Sequence, residues 1–368
     1  MKIQWLSYYL DSDGYGRFSS RFVAALLRAG VDVLPLVRDQ REMPPWMQRK
    51  VGIDWNHLTI SCFPPRNVRP LPGKQWLFSM CEGSHLPKSW VNAINTANLQ
   101  KVLVPCQHNL EVYVDNGVKV PIEIVPLGID PLEFPILPPR PERPYTFLAL
   151  GDRGGRKGYE EVFDAFYRAF GGKTTGTQDV RLIMKNRKGS NRILRYLSRA
   201  ADLDPRLSFI AEDVESMADI YAQANCFVIP SYCEGWGLPH REAAAMGLTV
   251  ITQKHSGMDD GHTEEWALVT EGGAGDASKG WLRPDVDNLA ALMLDCYQRP
   301  AAAARKGLVA AHWLREHQTW DIAAQQLLHK IRGDADGLQV VRTTEPGFLR
   351  LNGAIRAEDR RVGQEASL

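Results

Sequence analysis

The sequence predicts an α/β fold made of two doubly wound parallel-sheet domains. Two observations carry this: short apolar runs of β-formers alternate regularly with helical patterns along most of the chain, and a proline-rich stretch divides it near the middle. A third is length, since 368 residues suffice for two domains, each with a sizeable core.

In the first domain Ile3 to Tyr8 alternates as a strand. Asp11-Ser-Asp-Gly14-Tyr-Gly16 then forms a glycine loop. Arg17 to Arg28 follows with Phe18, Phe22, Ala25 and Leu26 at helical spacing, closed by Gly30. Strand, glycine loop and helix together place backbone N–H groups at a helix start, which suits an anion. Val31 to Val37 is a second strand. Residues 38–75 show no clear periodicity but hold Trp46, Arg49, Arg66 and Arg69. Gln75 to Met80 reads as a strand running into Cys81-Glu82-Gly83-Ser84-His85. Trp90 to Asn98 reads as a helix, and Lys101 to His108 as a strand followed by a turn. Ile122-Glu-Ile-Val-Pro-Leu-Gly128-Ile-Asp130 ends the domain. Pro131 to Pro144 then carries six prolines, so it lacks ladder donors and reads as an extended linker.

Tyr145 to Leu150 opens the second domain as an apolar strand. The loop Gly151-Asp-Arg153-Gly-Gly-Arg156-Lys157-Gly158 precedes a helix striped with Val162, Phe163, Phe166 and Phe170. Amides, a helix start and three cations together make a diphosphate site on electrostatic grounds. Arg181 to Lys185, Leu207 to Ile210, Thr249 to Thr252 and Ala267 to Thr270 are further strands. Leu289 to Cys296 and Trp320 to Ile331 are amphipathic helices, and from Gly333 the chain turns polar and reads as a tail.

The densest signal is Cys226-Phe-Val-Ile229-Pro-Ser-Tyr-Cys233-Glu234-Gly-Trp-Gly-Leu-Pro239-His-Arg-Glu242-Ala-Ala-Ala-Met-Gly247: strand, glycine turn, helix. Pro239 suits the first helical turn and Gly247 the C-terminal cap. Glu234 and Glu242 frame the turn and both can face the cleft at the carboxyl end of the strand. Carboxylates only accept hydrogen bonds and repel phosphate, so they suit hydroxyls. A molecule with phosphates in the middle and hydroxyls at both ends fits, and a nucleotide-sugar is one.

This turn resembles the E-x7-E signature of retaining GT-B glycosyltransferases, in particular family four. The resemblance covers roughly residues 1–332 and is strongest at 122–130, 151–158 and 225–247. It implies two Rossmann-like domains facing a central cleft: an acceptor-binding domain over 1–130, a linker over 131–144 and a donor-binding domain over 145–318. A helix over 319–332 would cross back to the first domain, leaving a tail over 333–368. By the same resemblance Glu234 contacts donor-sugar hydroxyls, the amides of Gly235, Trp236, Gly237 and Leu238 hold sugar and diphosphate, and Glu242 holds the ribose. Arg153 and Lys157 are the matching cations, with Arg156 able to substitute for Arg153. Gly14 and Gly16 match the first-domain loop, Val214 the nucleobase loop, and either Glu82 or His85 the position nearest the reacting sugar. The acceptor side would include Trp46, Arg49, Arg66 and Arg69.

The implied activity is transfer of a sugar from a nucleoside-diphosphate donor to an acceptor hydroxyl, with retention. Polysaccharide or lipid-linked glycan synthesis is the expected setting. No cofactor beyond the donor is expected, and no metal, because no Asp-x-Asp stands in a convincing context and Asp11-Ser-Asp13 falls at the glycine loop. Rival readings are a GT-B epimerase or phosphorylase, a transferase acting on nucleic acid, and a non-catalytic donor-binding protein. Intact Glu234, Glu242, Arg153 and Lys157 argue against the last. Net charge is +1, which gives no electrostatic reason for nucleic acid. Six scattered cysteines without a C-x-x-C pair point to a reduced, cytoplasmic setting. Cys233 reads as a small filler, not a nucleophile. No apolar run is long enough for a signal peptide or a bilayer span, so any membrane contact is expected to be peripheral.

Overall fold

The computed structural model describes residues 1–9, 14–37, 54–140, 143–151, 155–186, 199–200, 202–276 and 278–335. Asp11 to Asp13, Trp46, Arg49, Arg153 and 336–368 lie outside the described residues.

In the first lobe β1 (Lys2–Ser7), β2 (Asp32–Val37), β3 (Leu58–Cys62), β4 (Gln75–Phe78), β5 (Lys101–Val104) and β6 (Ile122–Ile124) pair in parallel, in the order β2-β1-β3-β4-β5-β6. In the second lobe the strands are β7 (Tyr145–Leu150), β8 (Val180–Lys185), β9 (Leu207–Ile210), β10 (Cys226–Val228), β11 (Thr249–Gln253) and β12 (Leu268–Thr270). They too pair in parallel, in the order β12-β11-β10-β7-β8-β9. The strand order of this sheet reverses between β7 and β10, and open α/β sheets bind ligands outside the carboxyl ends of the strands at that point. The loop after β7 carries Arg156 and Lys157, and the loop after β10 carries Glu234 and leads into the helix that carries Glu242.

The helices follow from apolar stripes at helical spacing. Helix α1 (Gly14–Arg28) buries Phe18, Phe22 and Leu26, with Trp5 of β1 stacked on Phe22 at 5.1 Å. The first lobe also holds α2 (Lys88–Thr96) and α3 (Gln107–Asp115). The second lobe holds α4 (Tyr159–Phe170), α5 (Met217–Tyr221), α6 (Leu238–Ala245), α7 (Thr263–Trp266), α8 (Val286–Gln298) and α9 (Pro300–His317). Helix α10 (Trp320–Ala335) returns to the first lobe, where Trp320, Ala323, Ala324, Leu327 and Leu328 join the core around Trp5 and Phe18.

The two chain crossings run side by side. The Ile129 amide donates to the Gln318 carbonyl at 2.8 Å and the Trp320 amide to the Ile129 carbonyl at 3.2 Å. A Cβ on Gly128 would sit 2.2 Å from the Thr319 carbonyl carbon, so glycine alone permits this approach. The lobes are further fastened by Trp236, which leaves the second lobe and is buried in the core of the first.

Several elements differ from the sequence reading. Helix α1 starts at Gly14, so Gly14 and Gly16 occupy its first turn and not a preceding loop. Helix α10 continues through Ala335, beyond the expected end at 332. Helix α5 is short, stopping at Tyr221, and Ala222 to Ala224 form a turn closed by backbone bonds. Strand β3 falls in the stretch that showed no periodicity. Its Thr59 and Ser61 are buried because Gln4 and Gln75 donate to their hydroxyls at 3.0 Å each, so polar pairs replace the apolar signature. Helix α3 occupies what read as a turn after Pro105, and α9, which the sequence reading did not include, begins directly at Pro300, where proline suits a first turn. The glycine-rich stretch after β12 forms an antiparallel hairpin of β13 (Gly272–Asp276) and β14 (Trp281–Pro284).

Candidate active site

Two loops at the reversal point of the second sheet are knitted together before any ligand is considered. The Tyr232 amide donates to the Arg156 carbonyl at 2.8 Å. Gly158 is left-handed at φ +70°, and a Cβ there would lie 2.5 Å from the Pro230 carbonyl oxygen. This approach carries Lys157 and Arg156 onto Glu234. The Lys157 ammonium bonds Oε1 of Glu234, and Arg156 Nη1 lies 2.9 Å from Oε2. Glu234 is 5% exposed. Burial would raise its pKa, but Arg156 and Lys157 outweigh that and hold the carboxyl well below the ordinary range.

The turn after Glu234 is held from behind. Its amide donates to Ser256 Oγ at 2.8 Å, and its carbonyl accepts from the Gly257 amide at 2.8 Å. Gly257 must be glycine, because a Cβ would stand 2.4 Å from the Gly235 carbonyl carbon. Gly237 is left-handed at φ +87°, turns the chain and precedes α6 as its cap residue. The backbone amides of Gly235 to Leu238 therefore gather at the start of α6, beside Lys157 and Arg156.

The first lobe closes over this turn. Asn109 of α3, fully buried, donates to the Gly235 carbonyl at 2.7 Å. Met80 at the end of β4 is so close that a Cβ on Gly235 would lie 2.8 Å from its Cγ. Arg156 Nη2 reaches Glu82 at 3.1 Å, so one guanidinium joins Glu82 of the first lobe to Glu234 of the second. His85 is exposed, with its Nδ1 3.3 Å from Ser84 Oγ. Of these two candidates, Glu82 is the one tied to Glu234. The hairpin also crosses the gap, since the Ser84 amide donates to the Lys279 carbonyl at 3.2 Å.

Glu242 lies on α6 and is 4% exposed. Tyr221 donates to its Oε2 at 3.1 Å, and Arg17 Nε of α1 stands 3.4 Å from its Oε1. Burial raises its pKa, against the opposing pull of Arg17. Val214 is partly buried beside the apolar cluster of Ile210 and Met217, in the loop after β9. Arg66 and Arg69 sit on the turn after β3, with Arg66 over the Trp90 ring at 5.9 Å. Cys233 is fully buried and burial pushes its thiol up to about 12, which keeps it protonated and inert.

Sequence reasoning missed three residues at this site. Asn109 follows directly on the turn read as far as His108 and was given no element, although Asn two residues into a helix beside a loop is a usable signal. Arg17 was read as the opening residue of an amphipathic helix. Arg241 drew no reading of its own, yet its side chain is fully buried: Nη2 pairs with Asp260 at 2.7 Å, Nε donates to Gln318 at 2.9 Å, and the cation lies over Trp236 at 3.9 Å.

Residues 136–268 match the family described as Glycosyl transferases group 1. The match runs from the linker through most of the second lobe and includes both loops of the site. Mannosylfructose-phosphate synthase of Agrobacterium fabrum is 24% identical over 201 residues, covering 50% of this chain and 40% of that protein. The chain spans less than half the length of the curated relatives it matches. Among solved structures, sucrose-phosphate synthase from Thermosynechococcus elongatus superposes with TM-score 0.71 at 17% identity, over 92% of this chain and 100% of that one. Anabaena Alr3699/HepE in complex with UDP-glucose gives 0.66 at 13% identity, over 90% and 100%. The two-lobed arrangement is the GT-B fold. Among the described residues of this GT-B chain, no helix is long and apolar enough to cross a membrane.

Proposed function

We propose that the protein is a retaining glycosyltransferase that moves a sugar from a nucleoside-diphosphate donor to an acceptor hydroxyl, in polysaccharide or glycolipid synthesis. The observation that carries this is the convergence of Lys157 and Arg156 on Glu234 at the sheet's reversal point, beside the amides that open α6. Without ligand the two cations neutralise Glu234. With donor bound, the diphosphate takes over the cations and the α6 amides, and Glu234 turns to accept hydrogen bonds from the sugar.

Bond cleavage places negative charge on the departing diphosphate. Lys157, Arg156 and the fixed amide dipoles are in place before that charge develops, which is the arrangement that lowers a barrier. In our reading they supply the positive charge that a metal provides in other transferases, so transfer proceeds without one. The acceptor enters on the face the leaving group vacates, and the departing phosphate takes the acceptor proton, so no separate side-chain base is required. The rival readings of an epimerase, a phosphorylase or a binding protein have no observation of their own here.

The test is donor turnover by Lys157→Ala and Glu242→Ala. Loss of one preorganised charge contact lowers turnover by about 10²–10³-fold. Near-wild-type rates for both variants would sink the assignment.

A further inference from the structure

A buried carboxylate that must accept two ribose hydroxyls has to stay ionised and keep one orientation. Glu242 has little on its own lobe to ensure either. Tyr221 of α5 supplies one hydrogen bond at 3.1 Å to Oε2. Its neighbours on α6 face elsewhere: Arg241 toward Asp260 and Trp236, and His240 toward the Ile229 carbonyl at 3.1 Å. Among the described residues, what faces Oε1 comes from the other lobe. Arg17, on the first turn of α1, has Nε 3.4 Å from Oε1 and Nη2 2.7 Å from Glu133. Glu133, in the segment that leaves the first lobe, is also held by Arg21 of α1 at 2.7 Å.

We propose that Arg17 is a positioning residue for ribose recognition: with Tyr221 it fixes both oxygens of Glu242, so that the second lobe's ribose site is completed by the first. The charge pattern requires it. Glu133 and Glu242 repel one another, and Arg17 stands between them with its cation shared. Burial and Glu133 both push Glu242 toward the neutral acid, while Arg17 and, more weakly, Tyr221 and Arg21 oppose them. Neutralised, Glu242 would turn one of its two acceptor oxygens into a hydroxyl donor, and its bonds to the ribose hydroxyls would lose their charge assistance. This inference rests on the reading of Glu242 as the ribose residue.

The experiment uses the full chain and direct binding of UDP, GDP and ADP, followed by the 2′-deoxy counterpart of whichever binds tightest, from pH 6 to 8.5. Wild type should prefer the ribo form by about tenfold across this range, the worth of one charge-assisted hydrogen bond. Arg17→Gln should lose most of that preference at pH 6 and regain it as pH rises and Glu242 deprotonates. Arg17→Lys should restore part of it at pH 6, and Tyr221→Phe should lower it at every pH. Equal weakening of ribo and deoxy ligands at every pH by Arg17→Gln would overturn the proposal, as would no change at all. Should that variant fail to fold, a full preference retained by Tyr221→Phe would overturn it. Glu242→Gln separates the two readings. If it leaves the preference intact, Glu242 is not the ribose residue. If it abolishes the preference while Arg17→Gln leaves it unchanged, only the role of Arg17 falls.

Discussion

Glu234→Gln should move stability and diphosphate affinity in opposite directions. In the free protein Glu234 is paired with Lys157 and Arg156, whose side chains are 14% and 13% exposed. Removing the shared carboxylate takes this counter-charge from the nearly buried Lys157 and leaves Arg156 to Glu82, and breaking a buried pair from one side costs about 3–5 kcal/mol. At about 2–4 °C per kcal/mol for a unit of this size, the melting temperature of the free variant should fall by roughly 6–20 °C. A nucleoside diphosphate then meets cations that no longer have to release a carboxylate. Its binding should therefore raise the melting temperature of the variant more than that of wild type. Turnover should still fall, because Gln presents one neutral acceptor where the sugar meets a carboxylate. Scanning fluorimetry with and without UDP, GDP and ADP, paired with donor turnover, reads all three effects. A variant as stable as wild type, or one that loses diphosphate affinity together with turnover, would refute the reasoning. The pairing also sets a pH dependence. The Glu234 pKa is depressed in the folded protein, so its contribution is fully present above the ordinary carboxylate range and is lost as pH falls below it.

Further expectations follow from the packing between the lobes. Trp236→Ala removes a side chain 3% exposed in the first lobe's core and should cost about 3–5 kcal/mol, with a larger radius of gyration in solution scattering as the lobes separate. Asp260→Asn strips the buried Arg241 of its counter-ion and should lower chemical-denaturation stability by about 3–5 kcal/mol. Because the Asp260 pKa is lowered in the fold despite its burial, the wild-type advantage over this variant should be present at neutral pH and shrink on acidification below the ordinary carboxylate range.

Much of this was legible from the residues. Glu234, Glu242, Lys157 and the glycine turn announce themselves because strand, glycine and helix signals coincide within one short stretch. The alternation of apolar strands with striped helices gave both sheets their parallel character. What stayed hidden was hidden for identifiable reasons. Strand β3 pairs buried hydroxyls with buried glutamines, so its polar letters read as surface. Helix α9 starts at a proline, and the hairpin of β13 and β14 is too rich in glycine to show a strand pattern. Arg241 sits in the helix after the glycine turn, and nothing local distinguishes a buried arginine whose partners, Asp260 and Gln318, lie 19 and 77 residues away. Arg17 and Asn109 act across the lobe boundary, and such contacts exist only once both lobes are in place.

The most direct measurement of the central claim is a structure of the protein soaked with a nucleoside diphosphate. The account predicts the diphosphate on Lys157 and the amides that open α6, with the Lys157 bond to Glu234 broken and Glu234 facing the vacant sugar position. A diphosphate bound elsewhere, with Glu234 still held by Lys157 and Arg156, would contradict it.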